Sequence, residues 1–232
     1  MLYRAQANIN LYDSSELKDL ATQVATDRLI HIAHPAPSSP DPLHRTEPLQ
    51  VVVVEDDYPA WLAPVDMRLL IPTEAPYIMP IVSAATIRQR IPAIIEFVHA
   101  AMASSNEYLW GGTVAPNYDC SGLMQAAFMS QGIQLPRDAY QQEAFVQPVE
   151  LTKLMPGDLV FFGPPEKATH VGLYLGHNRY SHSSGQAIGN NGIAINKLTL
   201  DGNQVDRNYF SQWRGAGRVV ASYRSRFSVD PH

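Results

Sequence analysis

One cysteine occurs in the 232 residues, and its surroundings are the first chemistry to weigh. It lies in Asn117-Tyr118-Asp119-Cys120-Ser121-Gly122-Leu123, with Tyr108-Leu109-Trp110-Gly111-Gly112 shortly upstream. A thiol attacks a carbonyl as its thiolate, and a free pKa of about 8.5 leaves little of that form at neutral pH. Cys120 opens an expected helix, so the positive end of the helix dipole helps. Ser121 and Gly122 leave room for a substrate backbone, and Gly111-Gly112 permits a tight loop close to the same spot. A lone cysteine is more often a small buried hydrophobe. A flank this polar and glycine-rich points instead to a nucleophile.

A nucleophilic thiol needs a base. Of the eight histidines, His170 and His182 stand out because both fall on expected strands that flank the turn Gly176-His177-Asn178. With the turn centred near His177, Gly172 faces His182 and His170 faces Ser184. The two imidazoles then leave the same sheet face as diagonal neighbours, within about 8 Å. One can take the thiol proton while the other holds it in the right tautomer and orientation. Taken singly, each reads as a surface hairpin histidine; the pair with Cys120 carries the assignment. The competing use of these three residues is a zinc site with an open fourth position. Zinc ligands usually come at close local spacing, and 50 residues separate Cys120 from His170, so no metal or cofactor is expected.

The elements that must position these residues follow from periodicity. Ile87, Ile91, Ile94, Ile95, Val98, Ala101 and Met102 keep helical spacing, with Pro92 expected in the first turn. Cys120 to Gln131 is the next helix, stopped by Gly132, and Asp138 to Phe145 the third. Strands are expected at 159–162, 170–175, 179–183, 192–198 and 218–223. Helices followed by antiparallel strands give an α+β domain over residues 81–232.

Residues 1–80 differ in character. Ten of the 18 prolines fall between Pro35 and Pro80, which forbids long helices and favours short strands. Leu49 to Val54 is a buried strand by its β-branched run, Tyr3 to Tyr12 a further strand, and Ser15 to Ala25 a short helix or turn. Pro72 to Pro80 reads as a linker. At 45% hydrophobic and 17% charged there is ample material for cores, and a net charge of −5 without a basic run argues against nucleic acid as a partner. No stretch is apolar enough to span a membrane. The N-terminus lacks the apolar core of a secretory leader, so a cytoplasmic location is expected.

These stretches together resemble the NlpC/P60 family of cell-wall cysteine peptidases. The matching residues are Tyr108 to Gly112, Asp119 to Leu123, Leu135-Pro136-Arg137, Pro156-Gly157-Asp158-Leu159-Val160-Phe161-Phe162 and His170 to Gly176, over roughly residues 90–223. The resemblance implies a papain-like α+β domain with helices packed on an antiparallel sheet. It also implies Cys120 as nucleophile, His170 as base, His182 as orienting residue and Tyr108 beside the oxyanion. Residues 1–80, notably Asn8 to Tyr12, Leu20 to Gln23 and Val51 to Leu62, resemble a bacterial SH3-like β-barrel of the kind found in cyanobacterial members, where it leans over the cleft. Such members imply a γ-D-glutamyl-L-diamino acid endopeptidase acting on murein tripeptides or tetrapeptides with a free L-Ala, in cell-wall recycling. Tyr58, Asp119 and Ser121 would then line the pocket.

Chemistry agrees with that pocket. A buried ammonium needs a carboxylate, which Asp119 offers, and the D-Glu carboxylate needs donors, which Ser121 and Arg137 offer. For Arg137 the alternative is a structural salt bridge at a helix start. Glu55-Asp56-Asp57 adds negative potential or is merely solvated, and Trp61 reads as core of the small domain. Two other functions stay open: a muropeptide-binding sensor without turnover, and another thiol acyl chemistry such as an N-acetylmuramoyl-L-alanine amidase or an acyltransferase.

Overall fold

The structure is a computed structural model, and it describes residues 1–33, 46–79 and 81–229. The prolines of 35–42 lie outside the described residues. The chain divides into two compact units: Met1–Met79 with Trp110–Val114 and Arg224–His232, and Pro80–Leu109 with Ala115–Tyr223.

The strands begin with β1 (Leu2–Ala5), β2 (Ile9–Tyr12), β3 (Leu20–Val24), β4 (Leu29–His31), β5 (Leu49–Val53), β6 (Tyr58–Leu62), β7 (Leu70–Thr73) and β8 (Tyr77–Ile78). The first seven of these form one antiparallel sheet in the order β3-β2-β6-β5-β4-β1-β7. Alternation builds the core of this unit. Leu49, Val51 and Val53 point inward with Ile9, Leu11, Val24, Ile30, Ala60 and Leu62. The same alternation turns Trp61 outward and leaves it partly exposed, so it is not the core residue expected.

Two further expectations give way here. Residues 20–24 pair with β2 as a strand, with Thr22 and Val24 buried, rather than forming a helix or turn. Pro72 does not open a linker but sits opposite Tyr3 on β7, the sheet's edge, where a missing N–H costs least. Glu55 and Asp56 are neither solvated nor free: both are buried and pair with Arg28, at 3.4 and 2.9 Å.

In the second unit α1 (Ala84–Ala103) carries Pro92 in its interior, not in its first turn. Pro92 and Arg88 are both exposed, so water can satisfy the Arg88 carbonyl that Pro92 leaves without a donor. Burial of Ile87, Ile91, Ile94 and Val98 carries the helix through. The short strand β9 (Thr113–Val114) belongs to the first unit, while β10 (Asn117–Tyr118), α2 (Cys120–Met129) and α3 (Ala139–Phe145) belong to the second.

Six antiparallel strands complete the unit: β11 (Gln147–Val149), β12 (Leu159–Phe162), β13 (His170–Gly176), β14 (Arg179–Ser184), β15 (Gly192–Lys197) and β16 (Trp213–Arg218), in the order β11-β16-β12-β13-β14-β15. A seven-residue helix, α4 (Gln204–Phe210), lies between β15 and β16, and β17 (Ser228–Val229) pairs with β8 in the first unit. The last sheet strand falls at 213–218 instead of 218–223, because Ala216 and Gly217 are what pair with Val160 and Leu159.

Both faces of this sheet are covered. Leu159, Phe161, Val171 and Leu173 pack with Leu123, Met124, Ala127 and Phe128 of α2. Val160, Phe162, Tyr174 and Tyr180 pack with Tyr209 of α4 and its neighbours Val205 and Phe210. Two-sided burial is why residues 159–162 read as an unbroken apolar run. Helices against an antiparallel sheet make the unit α+β.

Candidate active site

Cys120 is the first residue of α2, and Asp119 is its N-cap, accepting the Gly122 N–H at 2.6 Å. α2 packs on β13, and the Val171 and Ser121 N–H groups reach the sulfur. The thiol is buried, and that burial, with the Asp119 carboxylate next to it, pushes its pKa up to about 12; the N–H groups and Arg137 pull the other way without prevailing. The helix-start position alone therefore does not keep this sulfur ionised.

His170 opens β13 and His182 sits on β14. Leu173 lies opposite Ser181, so Gly172 faces His182 in the register expected from the turn. His177 and Asn178 both take positive φ, 53° and 57°, as a two-residue hairpin turn requires. A side chain at Gly172 would lie 2.6 Å from the Tyr180 ring and 2.9 Å from the Ser181 carbonyl oxygen, so this strand crossing admits only glycine. By alternation His170, His182 and Tyr180 share the α4 face of the sheet, opposite the face on which α2 packs. Cys120 meets that face because the N-terminus of α2 and the first residues of β13 lie together, as the Val171 N–H on the sulfur requires.

The imidazoles face one another: His170 Nε2 and His182 Nδ1 are 2.6 Å apart, and His182 Nε2 is 3.0 Å from Asn196 Oδ1. Both His182 nitrogens are thus engaged. Burial lowers the His182 pKa to about 4, against the opposing pull of Asn196 and Asp206, and burial together with His182 holds His170 well below the ordinary histidine range. At rest the site holds a neutral thiol and two neutral rings.

Tyr108 is half-buried; burial first, then charge at Cys120 and Asp119, raises its phenol pKa, which places it beside both. Tyr209 of α4 stacks on His170 at 4.2 Å and 30° and stands edge-on to His182 at 4.9 Å. Tyr58 belongs to the first unit, partly buried on β6, with its N–H donating to Asp56 Oδ1 at 3.3 Å. Gly111, also of the first unit, has φ +76 and a Cβ direction 2.7 Å from the Leu20 carbonyl oxygen, so close packing there demands a glycine.

Arg137 takes the structural alternative. It is 1% exposed, donates to Asp119 Oδ1 and Oδ2 at 3.2 and 2.6 Å, and reaches Ser121 Oγ at 3.0 Å. Ser121 Oγ in turn donates to Asp119 Oδ1 at 3.2 Å. A guanidinium so enclosed holds the start of α2 and is not presented to a ligand. Removing it strands a buried carboxylate, so Arg137→Leu is expected to destabilise this unit by about 3 kcal/mol. Urea denaturation measures this, and an unchanged midpoint would refute the structural role.

Asn196, Asp206 and Tyr209 were not singled out from the sequence. One signal was present. Asn203 and Asp206 form a capping box, the N-cap oxygen accepting the Asp206 N–H and Asp206 accepting the Asn203 N–H, both at 2.9 Å. The pattern Asn203-Gln204-Val205-Asp206 followed by Tyr209-Phe210 announces a short amphipathic helix.

Residues 105–214 match the NlpC/P60 family. A murein DD-endopeptidase/LD-carboxypeptidase of Escherichia coli (strain K12) is 40% identical over 78 residues, 33% of this chain and 42% of that protein. A γ-D-glutamyl-L-lysine dipeptidyl-peptidase of Bacillus subtilis (strain 168) is 40% identical over 96 residues, 40% of this chain and 31% of its own. The chain thus spans less than half the length of these curated relatives. Among solved structures, an NlpC/P60 family protein from Bacillus cereus aligns over 94% of this chain and 63% of its own, with a TM-score of 0.49 at 23% identity. Residues 105–214, which hold Cys120, His170 and His182, are thus the part of the chain that is similar to the NlpC/P60 family.

Proposed function

We propose that this chain is a cysteine peptidase that hydrolyses the γ-D-glutamyl-L-diamino acid bond of murein peptides bearing a free N-terminal L-Ala. The observation that carries it is the 2.6 Å contact between the His170 and His182 rings at the end of β13 whose Val171 N–H reaches the Cys120 sulfur. The relative named as a γ-D-glutamyl-L-lysine dipeptidyl-peptidase supports the choice of bond.

In this reading the Cys120 sulfur bonds to the D-Glu γ-carbonyl carbon as its proton passes to His170, and the carbonyl electrons move onto oxygen. Tyr108 hydrogen-bonds that oxygen. The proton on His170 then goes to the leaving diamino-acid nitrogen, and water, activated by the same ring, frees the acyl group from sulfur. Asp119 holds the Ala end of the substrate, and Ser121 lines its D-Glu portion. Since Arg137 already offsets the Asp119 charge, Asp119 supplies an oriented acceptor more than an unpaired counter-charge. Tyr58 lies in the first unit, which we read as a bacterial SH3-like domain.

L-Ala-γ-D-Glu-diaminopimelate is expected to be cut to the dipeptide and the diamino acid, and acetylating its amine to lower kcat/KM by at least about 100-fold, the loss when a polar site is left unpaired. Mass spectrometry of the products decides. Equal cleavage of the acetylated peptide would end the amine-pocket reading, and release of intact stem peptide from glycan would assign an amidase instead.

A further inference from the structure

Two neutral imidazoles in contact need one donor and one acceptor, and the 2.6 Å distance between His170 and His182 does not say which is which. The answer lies on the far side of His182. Asp206, in the first turn of α4, accepts Asn196 Nδ2 at 2.6 Å and the Lys197 N–H at 2.8 Å on Oδ1, and the Asn203 N–H at 2.9 Å on Oδ2. Burial pushes this carboxyl up, but the bonds from Asn196, Lys197 and Asn203 outweigh it and hold the pKa below the usual range, so the group is ionised and only accepts. Asn196 must then turn its amide nitrogen to Asp206 and its oxygen to His182 Nε2. An amide oxygen only accepts, so the His182 hydrogen is on Nε2 and its lone pair on Nδ1. His170 Nε2 donates to that lone pair, and the one basic nitrogen of His170 is Nδ1.

We infer that Asp206 and Asn196 are positioning residues for the thiol chemistry, acting through His182 to fix the tautomer in which His170 Nδ1 is free to accept the Cys120 proton. The opposite tautomer would place a hydrogen on Nδ1 and block the base. Helix α4 makes a second contribution from the same face: Tyr209, three residues after Asp206, stacks on His170 and fixes the plane of the ring. This inference rests on the reading of Cys120 as nucleophile and His170 as base.

The test uses the full chain labelled with 15N-histidine. Long-range proton–nitrogen correlation in the wild type should show a bare Nδ1 and a protonated Nε2 on both rings. In Asn196→Ala, where Asp206 keeps its two backbone bonds, His182 should shift to a mixture of tautomers. On the murein tripeptide kcat should fall about 100-fold with KM within about threefold, in line with losses on removing groups that orient a histidine. Asp206→Asn, which lets the Asn196 amide turn round, should move both readouts the same way. A wild-type spectrum with hydrogen on His170 Nδ1 overturns the inference, as does Asn196→Ala with wild-type shifts and kcat. Should neither variant fold, the wild-type spectrum decides alone. Turnover that survives in Cys120→Ala would instead sink the nucleophile reading, whatever the spectra show.

Discussion

Replacing Cys120 by alanine is expected to lower kcat by at least about 10⁴-fold, since loss of a nucleophile removes the covalent route altogether. The fold should survive. Deleting one sulfur from a small buried side chain costs on the order of 1 kcal/mol, so urea midpoint and circular dichroism should stay close to wild type. The same magnitude is expected for His170→Ala, for a reason specific to this site. Burial pushes the thiol pKa well above neutral, so the resting sulfur is protonated. In this reading the proton leaves during attack, taken by His170. Nucleophile and base then act as one unit, and the double variant should be no worse than either single one. Cys120→Ala retaining more than a tenth of wild-type kcat would assign the chemistry elsewhere.

That dependence on the base shows how far the sequence could be read. The hairpin register followed from the short Gly176-His177-Asn178 turn, since a pairing slip of one residue would reverse every side chain. The observed pairing of Leu173 with Ser181 carries on to Gly172 across from His182. The start of α2 was legible from Asp119 and its small neighbours, because an N-cap is a local property. What escaped depended on long-range partners. The polar stretch Ser15 to Asp19 suggests a helix or turn running on to Ala25, and residues 20–24 become a strand by pairing with β2. Pro92 signals a helix start and is overridden by the four buried aliphatic residues of α1. Arg137 offered a guanidinium to a ligand on paper, and only its burial against Asp119 shows that it is already engaged. The thiol's electrostatics were missed for the same reason. A helix N-terminus is visible in sequence, whereas the burial that outweighs it is a property of the assembled fold.

Burial of the two imidazoles should also make the protein acid-sensitive well before its carboxylates titrate. In the unfolded chain His170 and His182 take up protons near pH 6.5. In the native protein His182 does so at about 4, and His170 is held well below its ordinary value. Above pH 7 neither state binds these protons, and stability is flat. Below pH 6.5 the unfolded chain gains up to two protons that the native state refuses, so native stability falls as pH falls. The limiting slope is about 2.7 kcal/mol per pH unit for two groups, and the His182 share of the fall levels off once its native pKa near 4 is passed. Between pH 8 and pH 5 the loss should be about 4 kcal/mol, a large share of the 5–15 kcal/mol typical of a domain. Urea midpoints for wild type and His170→Gln/His182→Gln measure it, because the difference between the two pH dependences removes the contribution of every other histidine. Parallel curves would mean that the native rings titrate normally, and that they are not the enclosed neutral pair on which proton transfer from Cys120 depends. If the curves diverge, the acid limb of the activity profile belongs to loss of the fold and not to protonation of the base, and activity should return on neutralisation.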